Sequence, residues 1–288
     1  MRKPDEMMDL ILSFAKEHDA IRAVLLNGSR VNHELKQDPF QDYDVVYIVN
    51  DLEKFINSSE IPEYFSEIMI MQLPEDMKDP PPTKHDSYVY LMQFMDGTRI
   101  DLGINRIEDI HLITDDSLTQ VLLDKDNILT ELPAPSLASH LPDIPTNKGF
   151  ADCCNEFWWL NIHVAKGIWR DELPYAKFFF ETLLRSELMK MIVWDIAIRT
   201  NRQALTGWAN RHIQKHMLPS EWICLVDTYV DADPNRMWKA LSTTGKLFRT
   251  IGNRVALVMD FSYPSLEDSR VTEFVQKIRN LPKDAIEI

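Results

Sequence analysis

Apolar positions recur along the first half of the chain in two rhythms. In DEMMDLILSFAKEHD they fall at Met8, Ile11, Leu12 and Ala15, the spacing of an amphipathic helix that opens on an acidic first turn. IRAVLLN then reads as a short buried strand, and DYDVVYIV and EIMIMQL read as two more. SYVYLMQFM and RIDLGIN flank Asp96-Gly97-Thr98, a hairpin turn signal. Pro80-Pro81-Pro82 marks an irregular loop ahead of that hairpin. Gly28-Ser29 follows the first strand and leads into a polar segment with room for a short helix. The pattern predicts a mixed sheet with a few helices.

The text changes at LPAPSLASHLPDIPTNK, which holds four prolines and little periodicity. We place a first domain at residues 1–135, a Pro-containing linker at 136–148 and a second domain at 149–288. The second domain reads as helix after helix: CCNEFWWLNIHVAKGIW, YAKFFFETLLRSELMKMIVWDIAIR, MWKALSTTGKLFRTIGNRVALVMD and SLEDSRVTEFVQKIRN. All seven tryptophans fall there. No internal repeat or low-complexity segment interrupts either half.

Composition narrows the partners. Hydrophobic residues make up 45% and charged residues 26% of the 288, the balance of a soluble globular protein. No apolar run has membrane-spanning length, and MRKPDEMMDL is too acidic and polar for a secretory signal. Cys153, Cys154 and Cys224 form neither a disulfide framework nor a metal-ligand spacing, so a reduced cytoplasmic protein is expected. The net charge of −14 is uneven: residues 1–148 carry 28 acidic against 13 basic side chains, and residues 149–288 carry 17 against 18. Such an acidic first half repels phosphate backbones and attracts cations, which argues against a nucleic-acid partner, although the same excess also serves solubility. A membrane partner is not expected either, and the expected state is a monomer.

The acids at the start of the second strand carry the chemistry. Side chains alternate along a strand, so Asp42 and Asp44 point the same way, in line with Val46 and Ile48. Two like charges side by side at the end of a core strand repel, and burial adds to the cost. A cation belongs between them. A third acid, Asp101, stands in an otherwise apolar strand just after the hairpin turn. If that strand neighbours the DYD strand, three carboxylates converge beside Gly28-Ser29. Gly28 there lets a backbone approach a ligand closely, and a following helical turn offers N–H groups to phosphate. Hard oxygen ligands of that number suit one or two Mg²⁺ ions that share substrate phosphates. Taken singly, each of these features has an ordinary structural reading as a turn, a solvated strand end or a paired acid. Their conjunction is more specific.

Gly-Ser, a gap of about a dozen residues, Asp-x-Asp on a strand and a distal Asp on another strand resemble the nucleotidyltransferase superfamily that includes DNA polymerase β. LLNGSRVN, DYDVVYIV, GTRIDLGI and EFWWLNIHVAKGIWRDELPYAKF together resemble the aminoglycoside 6-adenylyltransferases, which modify streptomycin, along nearly the whole chain. The resemblance implies an α+β protein: an N-terminal nucleotidyltransferase domain with a mixed, mostly antiparallel sheet and flanking helices, and a C-terminal all-helical bundle that binds substrate. It implies AMP transfer from ATP, as co-substrate, to the 6-hydroxyl of the streptidine ring, with release of pyrophosphate. By position, Asp42 and Asp44 would be Mg²⁺ ligands, Gly28 and Ser29 would hold the triphosphate, and Asp101 would be a third ligand or the general base. Arg30 would contact phosphate or simply be a surface arginine. Lys177, one turn from Glu181, would form an ion pair with it or reach the nucleotide phosphates. The alternatives are a nucleotidyltransferase acting on a protein or tRNA, and a non-catalytic nucleotide-binding module.

The substrate side follows from chemistry. Streptomycin carries two guanidinium groups, which carboxylates bind in bidentate fashion. Along CCNEFWWLNIHVAKGIWR a helical wheel sets Asp152, Glu156, Trp159, His163, Lys166 and Arg170 on one stripe and Phe157, Leu160, Val164 and Ile168 on the opposite, core-facing one. A solvated face would account for the charges. A tryptophan among them points to cover by a ligand or a neighbouring domain. Asp152, Glu156 and Trp159 are therefore the candidates for contact with the cationic sugar, in a cleft between the domains, and His163 is given no role.

Overall fold

The computed structural model describes residues 2–32, 36, 38–82, 87–113, 115–129 and 132–288, the side chains of residues 112 and 113 excepted. The chain divides into two compact units, Met1–Ser139 and His140–Ile288. In the first, helix α1 (Pro4–Glu17) precedes strand β1 (Ile21–Asn27), a 3-10 turn at Gly28–Arg30 and strand β2 (Tyr43–Val49). Helix α2 (Glu60–Phe65), strands β3 (Ile68–Gln72), β4 (Ser87–Phe94) and β5 (Arg99–Arg106), helix α3 (Ile110–Ile113) and strand β6 (Thr119–Asp124) follow. The six strands form one sheet in the order β3-β4-β5-β2-β1-β6. Among the described residues the β2–β5 pairing is parallel and the other four pairings are antiparallel.

The near-continuous apolar runs of β1 and β2 arise because both faces of these strands are covered. On one face Val24, Leu26, Val45, Tyr47 and Val49 pack with Met7, Ile11 and Phe14 of α1 in the main core. On the other, Ala23, Leu25 and Ile48 meet Leu129, with Val46 alongside. Two expectations change here. The buried stripe of α1 is Met7, Ile11, Phe14 and Ala15, so Met8 and Leu12 sit at its margin rather than on it. The sheet also gains β6, whose TQVLLD is too short and too close to acids for periodicity to distinguish it from loop.

The second unit contains α4 (Asn147–Trp169), α5 (Leu173–Lys177), a π-helical segment at Phe178–Leu184, α6 (Arg185–Arg199), α7 (Pro219–Val226), α8 (Pro234–Met259) and α9 (Ser265–Asn280). Periodicity predicts one helix through 175–199; the structure widens it by a π segment, and α7 is an addition. Thr146 caps α4 by accepting the Gly149 N–H at 3.1 Å, and Asp233 caps α8 by accepting that of Arg236 at 2.9 Å. The core centres on Phe157, stacked on Phe248 with ring centroids 3.6 Å apart, and Trp158 meets Phe157 edge-on. Phe157, Leu160, Val164 and Ile168 are all buried in it. Among the described residues no helix is long and apolar enough to cross a membrane.

One ion network ties α6, α7 and α8. Arg254 donates to Asp195 at 2.6 and 2.9 Å and to Glu221 at 2.8 and 3.0 Å, and Arg199 adds a 2.8 Å bond to Asp195. Both carboxylates are buried. Replacing the guanidinium by an apolar side chain strands Glu221 and leaves Asp195 to Arg199 alone, and breaking a buried pair in this way costs about 3 kcal/mol or more. Arg254→Met is therefore expected to lower stability by about 3 kcal/mol in urea unfolding, with part recovered on adding Glu221→Gln. A loss under about 0.5 kcal/mol would place the network in the class of weak surface pairs.

Candidate active site

The parallel register of β2 on β5 sets Asp44 directly opposite Asp101. On the other side of β2, Asp44 pairs with Asn27 of β1, and Asn27 in turn with Thr119 of β6. Cross-strand partners share a face, so Thr119, Asn27, Asp44 and Asp101 form one polar row at the end of the sheet, on the face of the smaller core. Asp42 lies one residue before β2 and shares the side of Asp44. The three carboxylates expected to converge are thus brought to one edge. Asn27 Oδ1 and Thr119 Oγ1 are buried with no hydrogen-bond partner among the described residues.

The row carries charge that its surroundings do not discharge. Burial, then the neighbouring Asp101 and Asp42, push the Asp44 carboxyl up to about 6. Asp42 is also raised, by burial first, with Arg99 pulling it back and Asp101 pushing it up. Arg99 is the cation present: its Nε and Nη2 donate to Asp101 Oδ1 and Oδ2 at 2.7 and 2.8 Å, and its Nε lies 3.6 Å from Asp42 Oδ2. Among the described residues no group of three or more His, Cys, Asp or Glu side chains is arranged to hold a metal. The donor set nevertheless fits a divalent cation chemically, since it offers hard carboxylate oxygens with an excess of negative charge at one edge.

Gly28 is fixed by Asp44. It has φ +73°, and a Cβ built on it would stand 2.4 Å from Asp44 Oδ2, so any side chain here displaces the carboxylate. Its N–H is already donated to Leu118 O at 3.1 Å, so Gly28 contributes by close approach rather than as a free donor. Ser29 sits within the 3-10 turn, and its carbonyl receives Gln41 Nε2 at 3.4 Å. Arg30 donates to the Asp42 and Gln41 carbonyls at 2.9 and 2.7 Å and lies over the Tyr43 ring at 3.6 Å. It holds the segment that delivers Asp42. A cavity of about 460 Å³ adjoins this edge, with Arg2, Arg30, Gln41, Asp42, Gln93 and Arg99 among its walls.

The remaining expected site residues lie in the second unit. The Lys177 ammonium donates to Val230 O at 2.6 Å and sits 3.4 Å from Glu181, which also binds Arg185. On α4, Asp152 and Glu156 are exposed, and Asp152 pairs with Lys148. Trp159 is 61% exposed, whereas its neighbour Trp158 is at 3%. His163, on the same stripe, stacks on Phe179 at 4.7 Å and shares a 2.8 Å hydrogen bond with Tyr175. Sequence reasoning overlooked Arg99, Asn27 and Thr119. Arg99 was accessible to it, because period-two alternation puts it on the face of Asp101; the other two depend on pairing across β1 and β6.

The sequence profile of the family described as streptomycin adenylyltransferase matches residues 1–278. An aminoglycoside 6-adenylyltransferase from Campylobacter jejuni is 37% identical over 290 residues, covering 100% of this chain and 99% of the relative. One from Staphylococcus aureus is 33% identical over 269 residues, covering 93% and 95%. A solved structure, that of an aminoglycoside 6-adenyltransferase from Bacillus subtilis, is similar at 31% identity with a TM-score of 0.49, covering 98% of this chain and 100% of that one. With a match of that length, the chain belongs to the streptomycin adenylyltransferase family and is a nucleotidyltransferase.

Proposed function

We propose that this enzyme transfers AMP from ATP to a hydroxyl of an aminoglycoside, the 6-hydroxyl of the streptidine ring of streptomycin, and releases pyrophosphate. The observation that carries this reading is the register that sets Asp44 against Asp101 beside Asp42 and the Gly28 turn. The relatives named above support the choice of acceptor. Residues 1–135 handle ATP, 136–148 link, and 149–288 bind the drug. Asp42 and Asp44 hold Mg²⁺, with Asp101 as a third ligand or as the base. When bound, the ion supplies positive charge to the triphosphate and the departing pyrophosphate. Gly28 and Ser29 let the triphosphate approach the turn closely. Asp101 accepts the proton of the attacking hydroxyl as its oxygen bonds to the α-phosphorus and the bond to the pyrophosphate oxygen breaks. Arg30 positions Asp42. Lys177 is left outside the set, since its ammonium already has two oxygen partners.

The direct test is pyrophosphate release from ATP and Mg²⁺ with and without streptomycin. Release that depends on the drug is expected; release that ignores it would overturn the choice of acceptor.

A second test uses Asp44. In the folded chain this carboxyl keeps its proton to about pH 6, while the unfolded chain releases it at about 3.9. The folded state therefore binds the extra proton between those values, and stability from this group falls as pH rises through that window. Asp44→Asn is expected to abolish transfer yet, in metal-free protein at pH 7, to be more stable than wild type by about 1–3 kcal/mol. The gap should close below about pH 4. Retained turnover would remove Asp44 from the site.

Specificity is tested on the exposed face of α4. A carboxylate facing a drug guanidinium is worth on the order of 1.5–3 kcal/mol, or roughly ten- to a hundredfold in affinity. Glu156→Gln, Asp152→Asn and Trp159→Ala are compared for streptomycin KM and Kd, with the KM for ATP expected to stay constant. Changes below about threefold in all three would mark the stripe as merely solvated.

A further inference from the structure

Arg99 occupies the place where the repulsion among the carboxylates calls for a cation. Standing two residues before Asp101 on β5, it projects from the same face, and its fork takes both oxygens of that carboxylate. Such a fork takes one lone-pair direction on each oxygen and sets a full positive charge against the carboxylate, so a metal ion drawn to Asp101 must compete with it. The pairing is open to exchange, however. The Arg99, Asp42 and Asp101 side chains are 40%, 37% and 24% exposed, and Arg99 borders the cavity next to Asp42, which gives the guanidinium room to withdraw. A triphosphate would offer it another oxyanion to fork.

We infer that Arg99 is an internal counter-ion that competes with the divalent cation for Asp101 and Asp42 and so weakens metal uptake until nucleotide is present. This rests on the carboxylate roles given under Proposed function. No neutral spacer would serve the same purpose: burial and mutual repulsion act on the acids whenever the metal is away, and a flexible arginine on the same strand relieves them without a bound ligand. Arg99 is a positioning residue in this scheme, acting through Asp101 and Asp42.

The test is Mn²⁺ titration of the nucleotide-free full chain, followed by the electron paramagnetic resonance signal of free Mn²⁺, with circular dichroism to confirm folding. Arg99→Gln is expected to bind Mn²⁺ about tenfold more tightly than wild type, because the competing charge-assisted fork is gone. Arg99→Lys, which keeps the charge and loses the fork, should fall between them at about threefold. A purely structural arginine predicts no gain in either. Equal or weaker binding by folded Arg99→Gln overturns the inference; if that variant does not fold, Arg99→Lys at the wild-type affinity overturns it. Asp44→Asn separates the two readings. Should it lose Mn²⁺ while the Arg99 variants match wild type, the metal site stands and the counter-ion falls. Should wild type and Arg99→Gln bind no better than Asp44→Asn, both fall.

Discussion

Like charges held across a parallel strand pair are the constraint around which the first unit is arranged. Neighbouring strands lie ~5 Å apart, and two carboxylates at that spacing repel by roughly 3 kcal/mol at an effective dielectric of about 20. That is larger than a typical surface ion pair contributes, so the arrangement persists only because other features enforce it. The β2–β5 ladder continues past the acids through Val45, Tyr47 and Val49 against Leu102, Ile104 and Arg106. Arg30 pins the carbonyls of Gln41 and Asp42. Gly28 leaves the space that Asp44 needs. The packing supplies the geometry and the site absorbs the electrostatic cost.

The second unit handles buried carboxylates in the opposite way. Asp195 and Glu221 share the forks of Arg254 and Arg199, and Asp268 receives Arg249 together with the Tyr263 hydroxyl and Thr272. Those three acids meet three arginines, as expected of groups whose role is to hold helices together. At the acid edge of the first unit one partly exposed arginine, Arg99, pairs with Asp101 and Asp42, and Asp44 has no ion pair among the described residues. The contrast between matched and under-matched acids distinguishes the two groups more clearly than burial does, since Asp195 is more buried than Asp42.

Much of this was legible in the sequence because it rests on local periodicity. Short apolar runs and turn signals found β1 through β5, period-two alternation put Asp42 and Asp44 on one side, and Asp101 stood out as the odd acid of an apolar strand. Helical spacing sorted α4 into an exposed stripe with Trp159 and a buried one with Phe157, Leu160, Val164 and Ile168. What escaped depends on contacts distant in sequence. β6 becomes a strand by pairing with β1 across the sheet, and only that pairing brings Thr119 and Asn27 into the polar row. The stripe of α1 was displaced because Phe14 packs between Tyr47 and Tyr64, a fit that spacing alone does not encode. The π segment after α5 keeps the helical rhythm closely enough that periodicity passes over it.

The order of strands has a kinetic side. β3, β4 and β5 follow one another as a meander of antiparallel neighbours, whereas β2 must wait for β5 across that whole excursion. Loop-closure entropy makes the meander cheap to form and the parallel seam costly. The acid pair lies on that seam, so its repulsion adds to a contact that is already costly to close. The acid edge thus stands where the folding chain has little to gain locally, and it depends on the apolar ladder beyond Asp44 to hold the acids together.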